Sequence, residues 1–222
     1  NFSNPAHYYS KGILNLKGGT ISNNTAAVLG GGIAVNGTGI LTMDGGTISG
    51  NKAPFGGGIG IVDYLTSADG KRFGEARWRG FFPAAVTIND GLITGNEATM
   101  TAVTSQITDP NAENGVGGGL YVASKEVYVN GGQFTNNTAG KQGGGIYVAS
   151  VPYVLKMGKT LVTENTATKI GGGMWLCPTG SATTAVTNGA SFFDNKAGNG
   201  AENNDTGSAG DDVASINKQD PA

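Results

Sequence analysis

Three aromatic residues occupy equivalent positions in successive repeats, and they are the strongest candidates for chemistry in this 222-residue chain. Tyr121, Tyr147 and Trp175 each stand in the middle of an apolar-x-apolar triplet that follows Gly-Gly-Gly. Because side chains alternate between the two faces of a strand, these middle residues are expected to point outward. The pattern predicts an exposed aromatic ladder, whose flat faces suit sugar rings or a protein partner. Cross-strand packing, or cover by a neighbouring domain, is the alternative interpretation.

A basic and aromatic insertion adds a second candidate binding element. It occupies residues 62–85 and contains Arg77, Trp78 and Arg79, which would suit the polar or acidic groups of a ligand. A second insertion occupies residues 99–116. The two loops would wall a groove floored by Gly60 and Tyr121, and loops on a rigid scaffold often carry function. Alternatively, the apolar residues of the first insertion only fasten it to the wall of the fold.

Carboxylates in and beside the insertions keep an enzyme open as an alternative. A glycosidase needs two carboxylates roughly 5–10 Å apart across the sugar. The available residues are Asp63, Asp69, Glu75, Asp109 and Glu113. No pair of them forms a nameable motif, and the strands lack the acidic calcium cluster of a pectate-type lyase. The sequence therefore leans against an enzyme. If the protein were a glycosidase, Asp63 and a second loop carboxylate would serve as acid and base.

Metal and cofactor chemistry has little support in the composition. His7 is the only histidine and Cys177 the only cysteine, which excludes an internal disulfide and a Cys/His metal cluster. Asp44 and Asp90 align in adjacent repeats, and Asp211 and Asp212 lie near Asp205, but turn and tail roles are favoured over a shared cation. We expect no cofactor and no bound metal.

The elements that would position these residues come from a unit repeated six times. Each copy contains an apolar residue followed by x-x-Asn-x-Ala, and in five copies Gly-Gly-Gly and an alternating apolar pair follow. The triplets begin 26, 61, 26 and 28 residues apart, and the long interval holds both insertions. Period-two alternation predicts strands, and a repeat of this length predicts a solenoid. The recurrent Asn is interpreted as a corner residue that hydrogen-bonds to backbone and forms an Asn ladder.

These observations predict an all-β fold, a right-handed parallel β-helix of about six coils with three short parallel sheets. We expect one domain over residues 1–222, with an N-terminal cap at 1–13 and a terminal coil and tail at 198–222. The chain is interpreted as a segment of a larger protein, so that other domains of the same polypeptide are partners. The net charge of −2 argues against nucleic acid, and no apolar run is long enough to span a bilayer.

The pairing of Gly-Gly-Gly-Ile with Phe/Ile-x-x-Asn resembles the GGAI and FxxN repeats of polymorphic outer-membrane proteins. It is also similar to adhesin-like right-handed β-helices of bacteria and archaea, within the pectate-lyase-like class. The resemblance covers about Leu14 to Val213, and this chain departs from it by a Gly at the third motif position and by the two insertions. It implies a secreted or cell-surface passenger, often adhesive. The class also includes polysaccharide lyases and glycoside hydrolases.

The function expected from the sequence is therefore an adhesin-like binding module for a glycan or a host or matrix protein. In this interpretation the aromatic ladder stacks on the ligand, while Arg77 and Arg79 contact its polar or acidic groups. A carbohydrate-active enzyme is the first alternative, and a passive structural spacer is the second.

Overall fold

A computed structural model describes residues 12–63, 84–101, 114–149, 153–178, 180–198 and 211–215. Within these ranges every regular element is a β-strand, and no helix long and apolar enough to cross a membrane occurs among them. Most of the predicted N-terminal cap, of both insertions and of the C-terminal tail lies outside the described residues.

The largest sheet has ten strands, which come from two apolar stretches of each repeat. The first stretch is an alternating apolar pair, such as Leu41 and Met43, and the second is the apolar residue before x-x-Asn, such as Ile48. Every strand pair in it is parallel. Its strands are β1 (Ile13–Leu16), β2 (Thr20–Ser22), β4 (Ile40–Ser49), β7 (Ala85–Thr94), β10 (Glu126–Val129), β11 (Gln133–Thr135), β14 (Val154–Met157), β15 (Leu161–Thr163), β18 (Ser181–Thr184) and β19 (Ser191–Phe193).

Two smaller parallel sheets complete each coil. The six-stranded sheet is built from the residues that follow Gly-Gly-Gly: β3 (Ile33–Asn36), β6 (Ile59–Val62), β9 (Leu120–Ala123), β13 (Ile146–Val148), β17 (Met174–Leu176) and β21 (Val213–Ser215). The five-stranded sheet is built from the two residues that follow the recurrent Asn: β5 (Lys52–Ala53), β8 (Glu97–Ala98), β12 (Thr138–Ala139), β16 (Thr166–Ala167) and β20 (Lys196–Ala197).

The all-β parallel β-helix and its three parallel sheets confirm the predicted fold class, although the sheets divide the repeat differently. The first and second apolar stretches were expected to form separate sheets. They form one sheet because β4 and β7 run through both stretches, with a kink at Asp44 and Asp90 where the strand register shifts. The five-stranded sheet comes from the x-Ala pair that follows the recurrent Asn, and the alanines of this pair, such as Ala53 and Ala139, are almost fully buried.

The core is a column of apolar side chains enclosed by the coils. Alternate residues of each strand point into it, so Leu41 and Met43 of β4 meet Ile59 and Ile61 of β6 with no exposed surface. The same positions are apolar in successive coils, which makes this core continuous along the stack. Burial of this kind contributes about 25 cal/mol per Å² of apolar surface, and it is the main force that closes the coils.

The corner before each ladder Asn has a left-handed backbone in all six copies. The residues at this corner are Asn23, Gly50, Gly95, Asn136, Glu164 and Asp194, with φ between 55° and 63°. Asn, Asp and Gly tolerate this region best, and five of the six corner residues are of these types. Glu164 is the exception. The left-handed corner is therefore one residue earlier than the sequence indicated, and the recurrent Asn has a different task.

That task is the predicted Asn ladder, which the structure confirms. Each recurrent Asn donates from Nδ2 to an Oδ1 in the next coil at 2.8–3.0 Å, which belongs to the next recurrent Asn or, for Asn195, to Asp212. All of them except Asn24 also donate from Nδ2 to a backbone carbonyl of the preceding coil. The backbone N–H of each Asn donates to the same Oδ1. The members are Asn24, Asn51, Asn96, Asn137, Asn165 and Asn195. We call this set the buried amide row.

The buried amide row ends on a carboxylate. Asp212 Oδ1 accepts from Asn195 Nδ2 at 2.8 Å and from Asn195 N at 3.3 Å. Because every amide in the row donates toward the C-terminal end, the last position needs only an acceptor, which a carboxylate supplies. Asp211 Oδ1 accepts from the backbone N–H of Ala197 beside it. These contacts support a structural role for both residues over a cation site.

Candidate functional site

The predicted aromatic ladder exists as a row along the six-stranded sheet. Tyr121 pairs with Tyr147 across β9 and β13, and Tyr147 pairs with Trp175 across β13 and β17. The two tyrosine rings lie 5.5 Å apart at an interplanar angle of 16° and are stacked. The neighbouring positions, Gly60 and Ala214, continue the same row on β6 and β21. The alignment deduced from the repeat is thus confirmed residue by residue.

The exposure expected of this row is wrong. Tyr121, Tyr147 and Trp175 retain only 7%, 8% and 4% of their accessible surface. They point away from the central core, but they belong to a second apolar cluster on the outer side of the sheet. Side chains covered to this degree offer no open face on which a ligand ring could stack.

The cover comes from the turn that precedes Gly-Gly-Gly. The last residue before each triplet forms isolated bridges with its counterparts, and Leu29, Phe55, Val116 and Ile170 are the apolar ones in this stack. Phe55 meets the Tyr121 ring edge-on at 5.4 Å. A methyl group on Gly60 would lie 2.5 Å from Leu29 Cδ1, so this Gly admits Leu29 against the sheet. The turn thus returns over the outward side chains and buries them.

Glycine is required in that turn for two separate reasons. The first Gly of each triplet has φ between 59° and 71°, a region that other L-residues rarely adopt. The second Gly packs against backbone, since a methyl group on Gly144 would lie within 2.6 Å of Thr166 carbonyl atoms. Cys177 directly follows β17 and is buried beside the row, with Sγ 2.9 Å from Tyr147 Oη.

Asp63 is the one candidate catalytic residue within the described ranges. It is 7% exposed, and its Oδ1 accepts from the backbone N–H of Ala84 at 3.3 Å. Ser124 from the next coil donates its hydroxyl to the Ala84 carbonyl oxygen at 2.6 Å. Asp63 and Ala84 are the described residues on either side of 64–83, so these contacts join the two ends of the first insertion.

No described residue donates a hydrogen bond to the second oxygen of Asp63. Burial raises the pKa of Asp63 to about 6, against the lowering effects of the Ser124 hydroxyl, the Ala84 N–H and Lys125. A carboxyl with this pKa could hold a proton for transfer near pH 6. Hydrolysis of a glycoside needs a second carboxylate, and Asp69, Glu75, Asp109 and Glu113 lie outside the described residues.

Arg77, Trp78 and Arg79 also lie outside the described ranges. Their predicted role in ligand contact therefore stays a prediction. The groove expected between the two insertions, with Gly60 and Tyr121 as its floor, is not open there in the described part of the chain, because Leu29 and Phe55 cover both residues.

A different groove of about 580 Å³ lies along the kink of the ten-stranded sheet. Its lining comes from neighbouring strands and their kinks, and includes Asp90, Asn130, Gln133, Lys159, Leu161 and Phe193. Phe193 keeps 47% of its surface exposed, and Leu161 is half-buried. The volume falls in the range of small-molecule sites, about 300–1,000 Å³. The groove combines amide, charged and apolar side chains on one rigid sheet.

One edge of this groove carries a second row of amides, which we call the exposed amide row. Asn130 Nδ2 donates to Asn89 Oδ1 at 2.8 Å, and Asn89 Nδ2 donates to Asp44 Oδ1 at 2.7 Å. All three side chains are exposed. Asp44 and Asp90 pair as predicted, and Asp90 Oδ1 accepts from Gly91 N–H at 2.8 Å, which supports the turn interpretation. Among the described residues no group of three or more possible metal ligands occurs.

The sequence analysis missed this groove, although a signal for it exists. Asp44, Asn89 and Asn130 each directly follow the last apolar residue of the first stretch in three successive repeats. The six recurrent Asn residues, five of which are buried, form a longer and more regular pattern than this one. Phe193 carries no comparable signal, because threonine or serine occupies the equivalent place in the other repeats.

Comparison with known proteins gives one match. Residues 131–149, which include β11, β12 and β13, match the model of the Chlamydia polymorphic membrane protein repeat. No curated protein and no solved structure matches the chain. The match covers a single repeat of the solenoid, and it supports the predicted resemblance to polymorphic outer-membrane proteins in that segment. The chain is thus similar to a surface-associated repeat protein over one coil.

Proposed function

We propose that this chain is a cell-surface or secreted binding module of the adhesin type, which recognises a glycan or a host or matrix protein. The observation that carries the proposal is the match of residues 131–149 to a repeat of a polymorphic membrane protein. The matched coil is continuous with the others through all three sheets. A rigid stack of such coils is suited to hold a binding surface away from the cell.

The ligand contacts of this module belong to its polar surfaces and loops. Burial of Tyr121, Tyr147 and Trp175 argues against their stacking directly on a ligand. In the proposal they support the outer wall instead. Arg77, Trp78 and Arg79 of the first insertion contact the polar or acidic groups of the ligand, because planar guanidinium groups pair well with carboxylates and sulfates.

The test is a binding screen of the purified chain against a glycan array and a panel of extracellular-matrix and host-cell surface proteins. We expect reproducible binding to at least one class, weakened in an Arg77→Ala/Arg79→Ala variant. Lys156→Ala is the matched control, since it removes an exposed positive charge from the ten-stranded sheet. Binding to no probe in either panel would contradict the proposal and leave the passive spacer.

Asp63 supports a carbohydrate-active enzyme as the second candidate. A buried carboxyl with its pKa raised to about 6 has the property required of a general acid. The same glycans are therefore assayed for cleavage products. Products that disappear in Asp63→Asn, with binding retained, would favour the enzyme over the binding module. Glycans that bind and remain intact would favour the binding module.

A further inference from the structure

We propose that the groove along the kink of the ten-stranded sheet binds a neutral, hydroxyl-rich saccharide chain. This inference rests on the proposed function and assigns it a site and a ligand class. The groove lies on a different sheet from the aromatic row, and none of its lining residues belongs to either insertion. It is therefore separate from every site that the sequence predicted.

The polar half of the groove is held in place before any ligand arrives. Asn130 and Asn89 are linked to each other and to Asp44 by side-chain hydrogen bonds of 2.7 and 2.8 Å, although all three are exposed to solvent. Each amide uses one N–H in this row, which leaves its second N–H for a ligand. Asn130 Oδ1 has no donor in the described part of the chain. Groups fixed in this manner lose little conformational entropy on binding, which favours affinity.

The apolar half of the groove faces these amides. Phe193 on β19 presents 47% of its surface, and the half-buried Leu161 on the neighbouring strand β15 also lines the groove. Sugar rings have polar edges and apolar C–H faces, so they fit a groove that has amides on one side and an aromatic ring on the other. Gln133 on β11 stands between them and adds a further amide.

The dimensions suit a chain more than a single small molecule. The groove crosses β7, β11, β15 and β19, which are consecutive strands of the sheet. Three steps of about 4.8 Å between strands make it roughly 14 Å long. The side chains repeat with that step, which is close to the length of one pyranose unit. Several linked sugars could therefore meet equivalent positions in successive coils.

Charge in the groove favours a neutral ligand. Its lining carries one carboxylate, Asp90, and one ammonium group, Lys159. The two charges balance, so neither a strongly acidic nor a strongly basic chain has an advantage there. A protein partner is less suited, since protein interfaces rely on aromatic anchors buried in apolar pockets, and this groove is open and about half polar.

The test is binding of the full chain to an array of neutral oligosaccharides, with acidic oligosaccharides and the matrix-protein panel alongside. We expect Asn130→Ala and Phe193→Ala each to weaken neutral-glycan binding roughly tenfold. Tyr128→Ala is the control, because Tyr128 is an exposed aromatic residue on β10 of the same sheet but outside the groove lining. Urea unfolding midpoints of all variants check that the fold is intact.

If Asn130→Ala and Phe193→Ala bind neutral glycans as well as the wild type does, the groove is not the binding site. The proposed function would be unaffected by that result. Binding to acidic glycans or matrix proteins only would contradict a neutral saccharide as the ligand of the groove. It would also leave the proposed function unaffected. Binding to no probe at all would overturn both the groove and the proposed function.

Discussion

The molecule contains two rows of hydrogen-bonded amides, and their comparison separates what holds the fold from what faces a ligand. The buried amide row runs through six coils with side-chain hydrogen bonds of 2.8–3.0 Å and ends on Asp212. The exposed amide row joins Asp44, Asn89 and Asn130 with bonds of 2.7 and 2.8 Å. The residue types and bond lengths are alike, so burial makes the difference.

Burial sets how many bonds each amide must form. A buried polar group without a partner costs about 1–3 kcal/mol, and each of the five buried Asn residues of the row is satisfied by both neighbours and by backbone. Water can satisfy an exposed amide, which leaves some of its bonding capacity free for a ligand. A row of hydrogen-bonded amides therefore stabilises the fold where it is buried, and it presents fixed polar groups to a ligand where it is exposed.

The largest expected effect comes from interrupting the buried row. Asn137→Ala removes the acceptor of Asn96 N and Nδ2, and the donor to Ile93 O and Asn165 Oδ1. Several buried groups then lack partners, so we expect the free energy of unfolding to fall by about 3–5 kcal/mol. Urea denaturation followed by circular dichroism measures this. A loss below 1 kcal/mol would mean that water or relaxation replaces the row, and the comparison would fail.

The next effect concerns a buried polar group that belongs to neither row. Asp63 has an orphan oxygen and a pKa raised from 3.8 to about 6 by burial. Below pH 3.8 the folded and unfolded chains both hold the proton. Between pH 3.8 and 6 only the folded chain retains it, so stability falls as the pH rises, by up to roughly 3 kcal/mol in total. Above pH 6 this contribution is constant.

Asp63→Asn cannot titrate, which makes it the matched variant for this pH effect. We expect that the free energy of unfolding of this variant does not show the fall between pH 4 and 6 that we attribute to Asp63. Urea midpoints at several pH values measure this. Parallel profiles for the variant and the wild type would show that Asp63 has an ordinary pKa. In that case its place as a general acid would also lose support.

A smaller effect is expected at the end of the buried row. Asp212→Ala leaves Asn195 N and Nδ2 without their shared acceptor, at a half-buried position where water can partly replace it. We expect a loss of about 1–2 kcal/mol in the free energy of unfolding. Asp212→Asn retains Oδ1 and should lose less than Asp212→Ala. Equal losses for both variants would indicate that the negative charge matters more than the acceptor.

The smallest effect on stability is expected in the exposed row. Asn130→Ala removes one hydrogen bond between exposed side chains, so its free energy of unfolding should change by about 0.5 kcal/mol or less. The measurement is the same urea midpoint used for Asn137→Ala. A change of several kcal/mol would show that the two rows do not differ in role.

Much of the fold follows from the spacing of residue types. Gly-Gly-Gly and Asn-x-Ala predicted the strands, the Asn ladder and the register that aligns Tyr121, Tyr147 and Trp175. Repeats make this possible, because each coil must match its neighbour to bury its core. The merging of two stretches into one sheet was not predictable, since it depends on how sharply the chain bends at Asp44 and Asp90.

The candidate sites were harder to predict, because they depend on contacts outside the repeat pattern. An outward position in a strand indicated exposure, but Leu29 and Phe55 from the preceding turn fold back over that face. Whether a turn returns over a sheet depends on local packing, which alternation does not encode. The groove joins Asn130 to Phe193 of a different coil, a proximity that appears only when the kinks are stacked.

The most direct test of the two-row account is the glycan-array signal of Asn130→Ala measured beside its urea midpoint. The account predicts that binding to neutral glycans falls roughly tenfold while the midpoint stays at the wild-type value. Undiminished binding would contradict the role of the exposed row. A midpoint lowered as far as that of Asn137→Ala would contradict the division between a row that holds the fold and a row that faces the ligand.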